Sequence, residues 1–229
     1  MPKVKAVAFD IDGTLYPQWH LLTTSLGLYI RNFRLVQSYW KVRRNLREDG
    51  YHYQAEGREG LLHHQAQMYA DLTGEQVADV RELLEYKIYQ VWERTFRHLK
   101  PLPGVKKVLK ELRNRGFTVA AMSDFPVEKK LEYFDLGVEE YWDLAITSED
   151  SGHLKPHGMA YQYLSQKLNL EPEEILYVGN SYRNDIEGAK KAGCWAAYFT
   201  WKNRRDSLAD FHYRNYQQFL DRFDQFVKY

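Results

Sequence analysis

Two aspartates stand two residues apart where a short apolar run ends: VKAVAF, residues 4–9, leads into Asp10-Ile11-Asp12-Gly13-Thr14. A Val-rich run that stops at a polar turn reads as a buried strand. A carboxylate pair at a strand end can serve one site, one member as nucleophile or metal ligand and the other as general acid and base. Asp185 could add a third carboxylate. Oxygen ligands with open positions suit Mg2+, which takes one or two carboxylates together with substrate phosphate and water. Ser123 and Lys155 could hold an anion, the hydroxyl by donating a hydrogen bond and the ammonium as a point charge. Together these parts describe phosphoryl transfer, where catalysis is mostly positioning and charge stabilisation.

The elements that must position these residues follow from periodicity. After the first run, residues 17–100 show little strand-like alternation. Leu22, Leu26, Tyr29, Phe33, Val36 and Tyr39/Trp40 recur at helical spacing, as do Val77, Val80, Leu84, Ile88, Val91/Trp92 and Phe96. This predicts an insert of three to five helices. From Pro101 onward strands alternate with helices. Helices are expected over residues 105–115, 127–134, 156–168, 185–191 and about 216–226. Strands are expected over 117–122, 144–147, 175–178 and 195–199, with one more short strand near Phe211. Such alternation indicates a parallel sheet covered by helices on both faces, an α/β Rossmann-like fold. Ligands bind at the carboxyl ends of such strands. Those ends carry Asp10/Asp12, Ser123, the loop to Lys155, and Asn180/Asp185, so four distant clusters should converge.

With those residues in place, the chain resembles the haloacid dehalogenase-like (HAD) superfamily. Phe9-Asp10-Ile11-Asp12-Gly13-Thr14-Leu15 resembles its first motif, Ser123 its second, Lys155-Pro156 its third, and the stretch from Val178 through Gly179-Asn180-Ser181 to Asp185 its fourth. The resemblance implies that Asp10 is the nucleophile, forming an aspartyl-phosphate. It implies that Asp12 protonates the leaving oxygen and then activates water, its backbone carbonyl also binding Mg2+. Ser123 and Lys155 would hold phosphoryl oxygens, with Asp124 beside them at the substrate. Asp185 and Asn180 would complete the Mg2+ site with Asp10 and Asp12. The insert would be a helical cap of the C1 type, so residues 1–16 and 101–229 would form the core and 17–100 the cap.

Three departures stand out. Asn180 replaces the frequent Asp of the fourth motif, which keeps an oxygen ligand but removes a charge. Asn there also occurs in hydrolytic dehalogenases of the superfamily, but those lack an acid matching Asp12, and Asp12 favours a phosphatase. Asp124 replaces Asn, and His157 replaces Asp in Lys-Pro-Asp. The expected activity is Mg2+-dependent hydrolysis of a small phosphorylated metabolite. A low-turnover protein that binds a phosphorylated ligand, nucleic acid or a partner is the alternative, followed by a 2-haloacid dehalogenase.

Composition sets outer limits. Of 229 residues, 44% are hydrophobic and 28% charged, ordinary values for a globular protein. The 32 Lys plus Arg nearly cancel 31 Asp plus Glu, so net charge gives no reason to expect nucleic acid or an anionic membrane. The lone Cys194 excludes an intramolecular disulfide and reads as a small buried residue. No apolar run approaches the roughly 18 residues of a transmembrane helix, and Asp10 interrupts any signal-like segment. A cytoplasmic protein is expected. Residues 29–47 hold Arg31, Arg34, Lys41, Arg43, Arg44 and Arg47 without an acid. This segment is either a solvated face whose arginines pair with acids elsewhere or a surface for an anionic ligand. Tyr51-His52-Tyr53, Trp19 and Tyr16 are either cap packing or a stacking surface for a ring. The histidines show no metal-ligand spacing, so no zinc is assigned.

Overall fold

The computed structural model describes residues 3–48, 56–90, 95–202 and 206–228. Six parallel strands form one sheet in the order β3-β2-β1-β4-β5-β6: β1 (Ala6–Phe9), β2 (Thr118–Ser123), β3 (Leu144–Thr147), β4 (Ile175–Gly179), β5 (Trp195–Phe199) and β6 (Phe211–Tyr213). Every residue of β1 and β4 is buried, which is why both read as continuous apolar runs rather than alternating ones.

Alternation sends successive side chains to opposite faces of the sheet. Val7, Phe9, Val119, Ala121, Leu176 and Val178 pack on one side. They meet α5 (Val105–Asn114), through Val105, Val108, Leu109 and Leu112, and α10 (Tyr216–Lys228), through Tyr216, Phe219, Leu220 and Phe223. Both sets follow the i, i+3, i+4, i+7 rule of a helix with one apolar stripe. Each large side chain buried this way contributes roughly 1.5–3 kcal/mol. Ala6, Ala8, Ala120, Met122, Ile175 and Tyr177 pack on the other side, under α8 (Gly158–Leu168) and α9 (Gly188–Lys191). Strand order reverses direction about β1, whose neighbours are β2 and β4. That is the switch point at which a doubly wound sheet opens a crevice.

Between β1 and α5 runs the helical insert: α1 (Gln18–Arg31), α2 (Phe33–Asn45), α3 (Gly57–Thr73) and α4 (Val77–Leu84), continued by a π-type turn over Glu85–Gln90. The first apolar series does not run as one stripe. The helix breaks at Asn32, and Leu26 and Phe33 face outward while Val36, Tyr39 and Val42 are buried. Two short helices, α6 (Glu128–Tyr133) and α7 (Val138–Tyr141), follow β2. The helix expected from Asp185 begins earlier, as a π-type turn over Tyr182–Glu187, because Ser181 Oγ caps it by accepting from the Asn184 N–H at 3.2 Å. Among the described residues no helix is long and apolar enough to cross a membrane.

Candidate active site

Asp10 follows directly on β1. Phe9 is in register with Ala121 of β2 and Val178 of β4, and the Asp10 N–H donates to the Val178 carbonyl at 2.8 Å. Asp10 is therefore fixed at the crevice between the two neighbouring strands. Its Oδ2 accepts from Thr14 Oγ1 at 2.8 Å, and its Oδ1 from Lys155 Nζ at 2.7 Å. Lys155 Nζ also donates to Asp185 Oδ1 at 2.8 Å and to the Tyr177 hydroxyl at 2.9 Å. The strand ends that carry Asp10 and Asp185, up to 175 positions apart in the chain, thus meet around one buried ammonium group, and Ser123 joins them through Asp12.

The two aspartates of the first motif differ in environment. Burial raises Asp10 to about 7, with the nearby charges of Asp185 and Asp12 adding to the rise and Lys155 opposing it. Asp12 is also desolvated, but Lys130 and hydrogen bonds from Tyr16 and Ser123 outweigh that and hold its carboxyl below the usual range. Tyr16 donates to Asp12 Oδ1 at 2.5 Å and Ser123 Oγ to Oδ2 at 2.7 Å, while Lys130 Nζ reaches both oxygens at 2.9 and 2.8 Å. Burial alone would pull Lys155 down, but the carboxylates of Asp10 and Asp185 keep it well above its ordinary value. It is a permanent cation at this site.

A cavity of about 350 Å3 opens on these groups. Asp10, Asp12, Lys155, Asn180 and Asp185 line it from the sheet, and Gln18, Trp40 and Arg47 from the insert. Asp124 is fully engaged there. Its Oδ1 accepts from Ser148 Oγ at 2.6 Å and the Lys155 N–H at 3.1 Å, its Oδ2 from Arg47 at 2.9 Å, and its carbonyl from Arg43. Strong pairing with Arg47, Lys155 and Arg43 overcomes its burial and holds Asp124 far below the ordinary carboxylate range.

Arg43 is itself wholly buried. It reaches from α2 to Glu149, just after β3, with Nη1 donating to Glu149 Oε1 at 2.6 Å. The Tyr89 hydroxyl donates to the same oxygen at 2.8 Å, and Arg58 to Oε2 at 3.1 Å. The basic segment thus divides: Arg43 and Arg47 pair with acids of the sheet domain, whereas Arg31, Arg34, Lys41 and Arg44 are exposed.

With this geometry in place, comparison with known proteins is decisive. The family model of the haloacid dehalogenase-like hydrolases matches residues 4–193. The chain belongs to that family. It is 29% identical to a glyceraldehyde 3-phosphate phosphatase of Methanopyrus kandleri, over 93% of this chain and 89% of the other. It is 30% identical to a phosphoglycolate phosphatase of Mannheimia succiniciproducens, over 91% of each chain. These matches place this HAD-like hydrolase among the phosphatases. The HAD-hydrolase YfnB of Bacillus subtilis, solved bound to magnesium, has the same fold with a TM-score of 0.65 at 17% identity, over 97% of this chain and 99% of that one. A 2-haloacid dehalogenase of Pseudomonas syringae pv. Tomato shares the fold equally, with a TM-score of 0.63 at 18% identity.

The donor set of this HAD-like site suits a hard cation. Among the described residues no group of three or more His, Cys, Asp or Glu is gathered for a metal. Mg2+ does not need one, since one or two carboxylates with carbonyl, water and phosphate oxygens suffice. Asp10 and Asp185 supply two carboxylates joined through Lys155. Asn180 supplies an amide oxygen that accepts from Thr14 Oγ1 at 3.3 Å, the same hydroxyl that donates to Asp10. Two glycines hold this packing open. A Cβ on Gly179 would come 2.4 Å from the Asp185 carboxyl, and one on Gly13, at φ +88°, 2.3 Å from Asn180 Nδ2. Burial is the main cause of the rise at Asp10, and a cation would relieve the part that the like charges of Asp185 and Asp12 add.

The other two departures have local explanations. His157 caps α8, its Nδ1 accepting from the Met159 N–H at 3.3 Å, and stacks on His153. Asp124 joins the second motif to the insert. Lys130, Thr14 and Tyr177 were not singled out by sequence reasoning. Thr14 lies inside the first motif, but nothing in VEKKLEYF distinguishes the buried lysine that meets Asp12 from its exposed neighbour Lys129. Tyr16 is buried against Phe96 and Phe134 and presents its hydroxyl to Asp12, not its ring to a ligand. Tyr51, His52 and Tyr53 lie outside the described residues.

Proposed function

We propose that this HAD-like hydrolase is a Mg2+-dependent phosphomonoesterase that works through an aspartyl-phosphate on Asp10 and acts on a small phosphorylated metabolite. The observation that carries this reading is the pair Asp10 and Asp12 at one strand end, the first held by Lys155 and the second by Ser123, both facing the same cavity.

In this reading an oxygen of Asp10 attacks phosphorus in line with the ester oxygen. Lys155 and Ser123 donate to the phosphoryl oxygens as charge moves onto them. Asp12 gives its proton to the departing alkoxide. It then takes a proton from the water that attacks the acyl-phosphate and returns Asp10 and inorganic phosphate. An approaching phosphate dianion favours the protonated form of Asp12, which that first transfer needs. Asp10, Asp185, Asn180 and the Asp12 carbonyl would hold Mg2+, whose charge when bound offsets that of the phosphate and of the clustered carboxylates. Arg47 and Trp40 bring the insert to the cavity as a cap, so its closure excludes water while Asp10 attacks. The names of the relatives support a small phosphorylated substrate. The cytoplasm is the expected setting for such a metabolite.

The test is phosphate release from a panel of phosphomonoesters, with Mg2+ and with EDTA. Metal-dependent release from a subset of esters is expected. Chloride release from 2-haloacids without any phosphate release would overturn the reading.

A further inference from the structure

A second, larger recess of about 670 Å3 borders the catalytic cavity, and Gln18 and Asn180 line both. Its chemistry differs from that of the catalytic cavity. Among the described residues, no Asp or Glu lines it. Trp19 and Trp201 stand at it 60% and 72% exposed, the two most exposed tryptophans described, and Tyr198 lines it as well. Lys202 and Arg214 are exposed at the same recess, and among the described residues neither side chain has a carboxylate partner. Elsewhere this protein pairs many of its surface cations, as with Lys106 and Asp135, Lys110 and Glu140, or Arg115 and Asp224. A recess whose described lining holds no acid, with exposed indoles and two cations that have no carboxylate partner among the described residues, is suited to a planar ring that carries negative charge. Indole faces stack on rings, and the cations take the anion.

We propose that this recess receives the alcohol part of the substrate, and that this part is a nucleoside-like planar ring bearing a second anionic group. The proposal rests on the phosphatase reading above and narrows it. The ester phosphate sits at Asp10 and Lys155, the chain of the ligand passes Gln18 and Asn180, the ring lies against Trp201 and Trp19, and the second anion meets Arg214 and Lys202. The two curated relatives are named for phosphoglycolate and glyceraldehyde 3-phosphate, which carry no ring. The substrate proposed for this chain differs from those two in carrying a ring.

The experiment compares kcat/KM for adenosine 3′,5′-bisphosphate, adenosine 5′-monophosphate and phosphoglycolate, in wild type, Trp201→Ala and Arg214→Gln. Both substituted residues are exposed, so the fold tolerates their change. In wild type the bisphosphate is expected to be the best of the three. Its advantage over phosphoglycolate is expected to fall about tenfold in Trp201→Ala, the scale of one lost base stack, and by a similar factor in Arg214→Gln. A wild-type preference for phosphoglycolate, or an advantage that neither substitution changes, overturns the proposal while leaving the phosphatase reading intact. If none of the three is hydrolysed, calorimetric binding of the bisphosphate to the Asp10→Asn protein decides the question separately. Binding weakened by Trp201→Ala supports the recess, and no binding refutes it.

Discussion

Lys130 Nζ lies 2.9 and 2.8 Å from the two carboxylate oxygens of Asp12 and 3.2 Å from Ser123 Oγ. This lysine is buried, with its ammonium 4.7 Å from the ring centroid of Phe96 and 5.6 Å from that of Phe125. It holds the proposed acid–base group Asp12 and the serine proposed to bind phosphate in one arrangement and favours the ionised form of Asp12. Lys130→Met removes the main charge that offsets the burial of Asp12, so the carboxyl rises. The alkaline limb of kcat/KM, where Asp12 loses the proton it gives to the leaving oxygen, is expected to move to higher pH and kcat to fall about tenfold or more, a fraction of what a positioned acid–base group supplies. Lys130→Arg should restore part of both. A pH–rate profile checks this, and an unshifted alkaline limb in Lys130→Met would contradict it.

The insert is fastened to the sheet domain through Glu149, which accepts from Arg43, Arg58 and Tyr89. Both side chains of the Arg43–Glu149 pair are fully buried. Removing one charge leaves the other desolvated and unpaired, which costs about 3–5 kcal/mol. Glu149→Gln is expected to be destabilised on that scale in urea. The double change Arg43→Met with Glu149→Leu should cost clearly less than the sum of its parts. Additive losses would show that the pair is not the fastening.

Asp10 gives a stability prediction of unusual sign. A folded pKa of about 7 means that the native protein keeps a proton the unfolded chain has released. Without metal, this residue therefore costs stability progressively from about pH 4 to about pH 7, after which the cost is constant. Asp10→Asn removes that cost. In EDTA its Tm should match wild type near pH 4 and exceed it by about 3 °C or more at pH 8, since 1 kcal/mol corresponds to roughly 2–4 °C at this size. Scanning calorimetry at the two pH values checks it. A gain of the same size at both would mean that Asp10 does not titrate in this window.

Cys194 is buried, and burial pushes its thiol up to about 12. The thiolate is the reactive form, so alkylation of the native protein at pH 8 should be slow and should become rapid only on unfolding. Rapid native-state labelling would place Cys194 in a different environment.

Much of this architecture was legible from local pattern. β3, β5 and the start of α5 fall where apolar runs and their polar ends put them, because a doubly covered parallel strand has to be apolar throughout. Asp10, Ser123, Lys155 and Asp185 each end or follow such a run, so the topology alone brings them together. Lys130 was not legible. Its role depends on α6 bringing its ammonium to Asp12, 118 positions away, a tertiary fact that one lysine in a charged helix does not carry. The division of the basic segment was equally hidden, since the acids that pair with Arg43 and Arg47 lie 106 and 77 positions away. The outward turn of Leu26 and Phe33 came from a helix break at Asn32 that no glycine or proline announces.

The central claim is that Asp10 carries the phosphoryl group. The most direct measurement is acid quench of the enzyme during turnover of a reactive phosphomonoester, with peptide mass spectrometry of residues 4–16. The account predicts a phosphate adduct on Asp10 that accumulates in Asp12→Ala, where water attack is slowed, and is absent from Asp10→Asn. Steady phosphate release with no adduct on Asp10 in wild type or Asp12→Ala would contradict it.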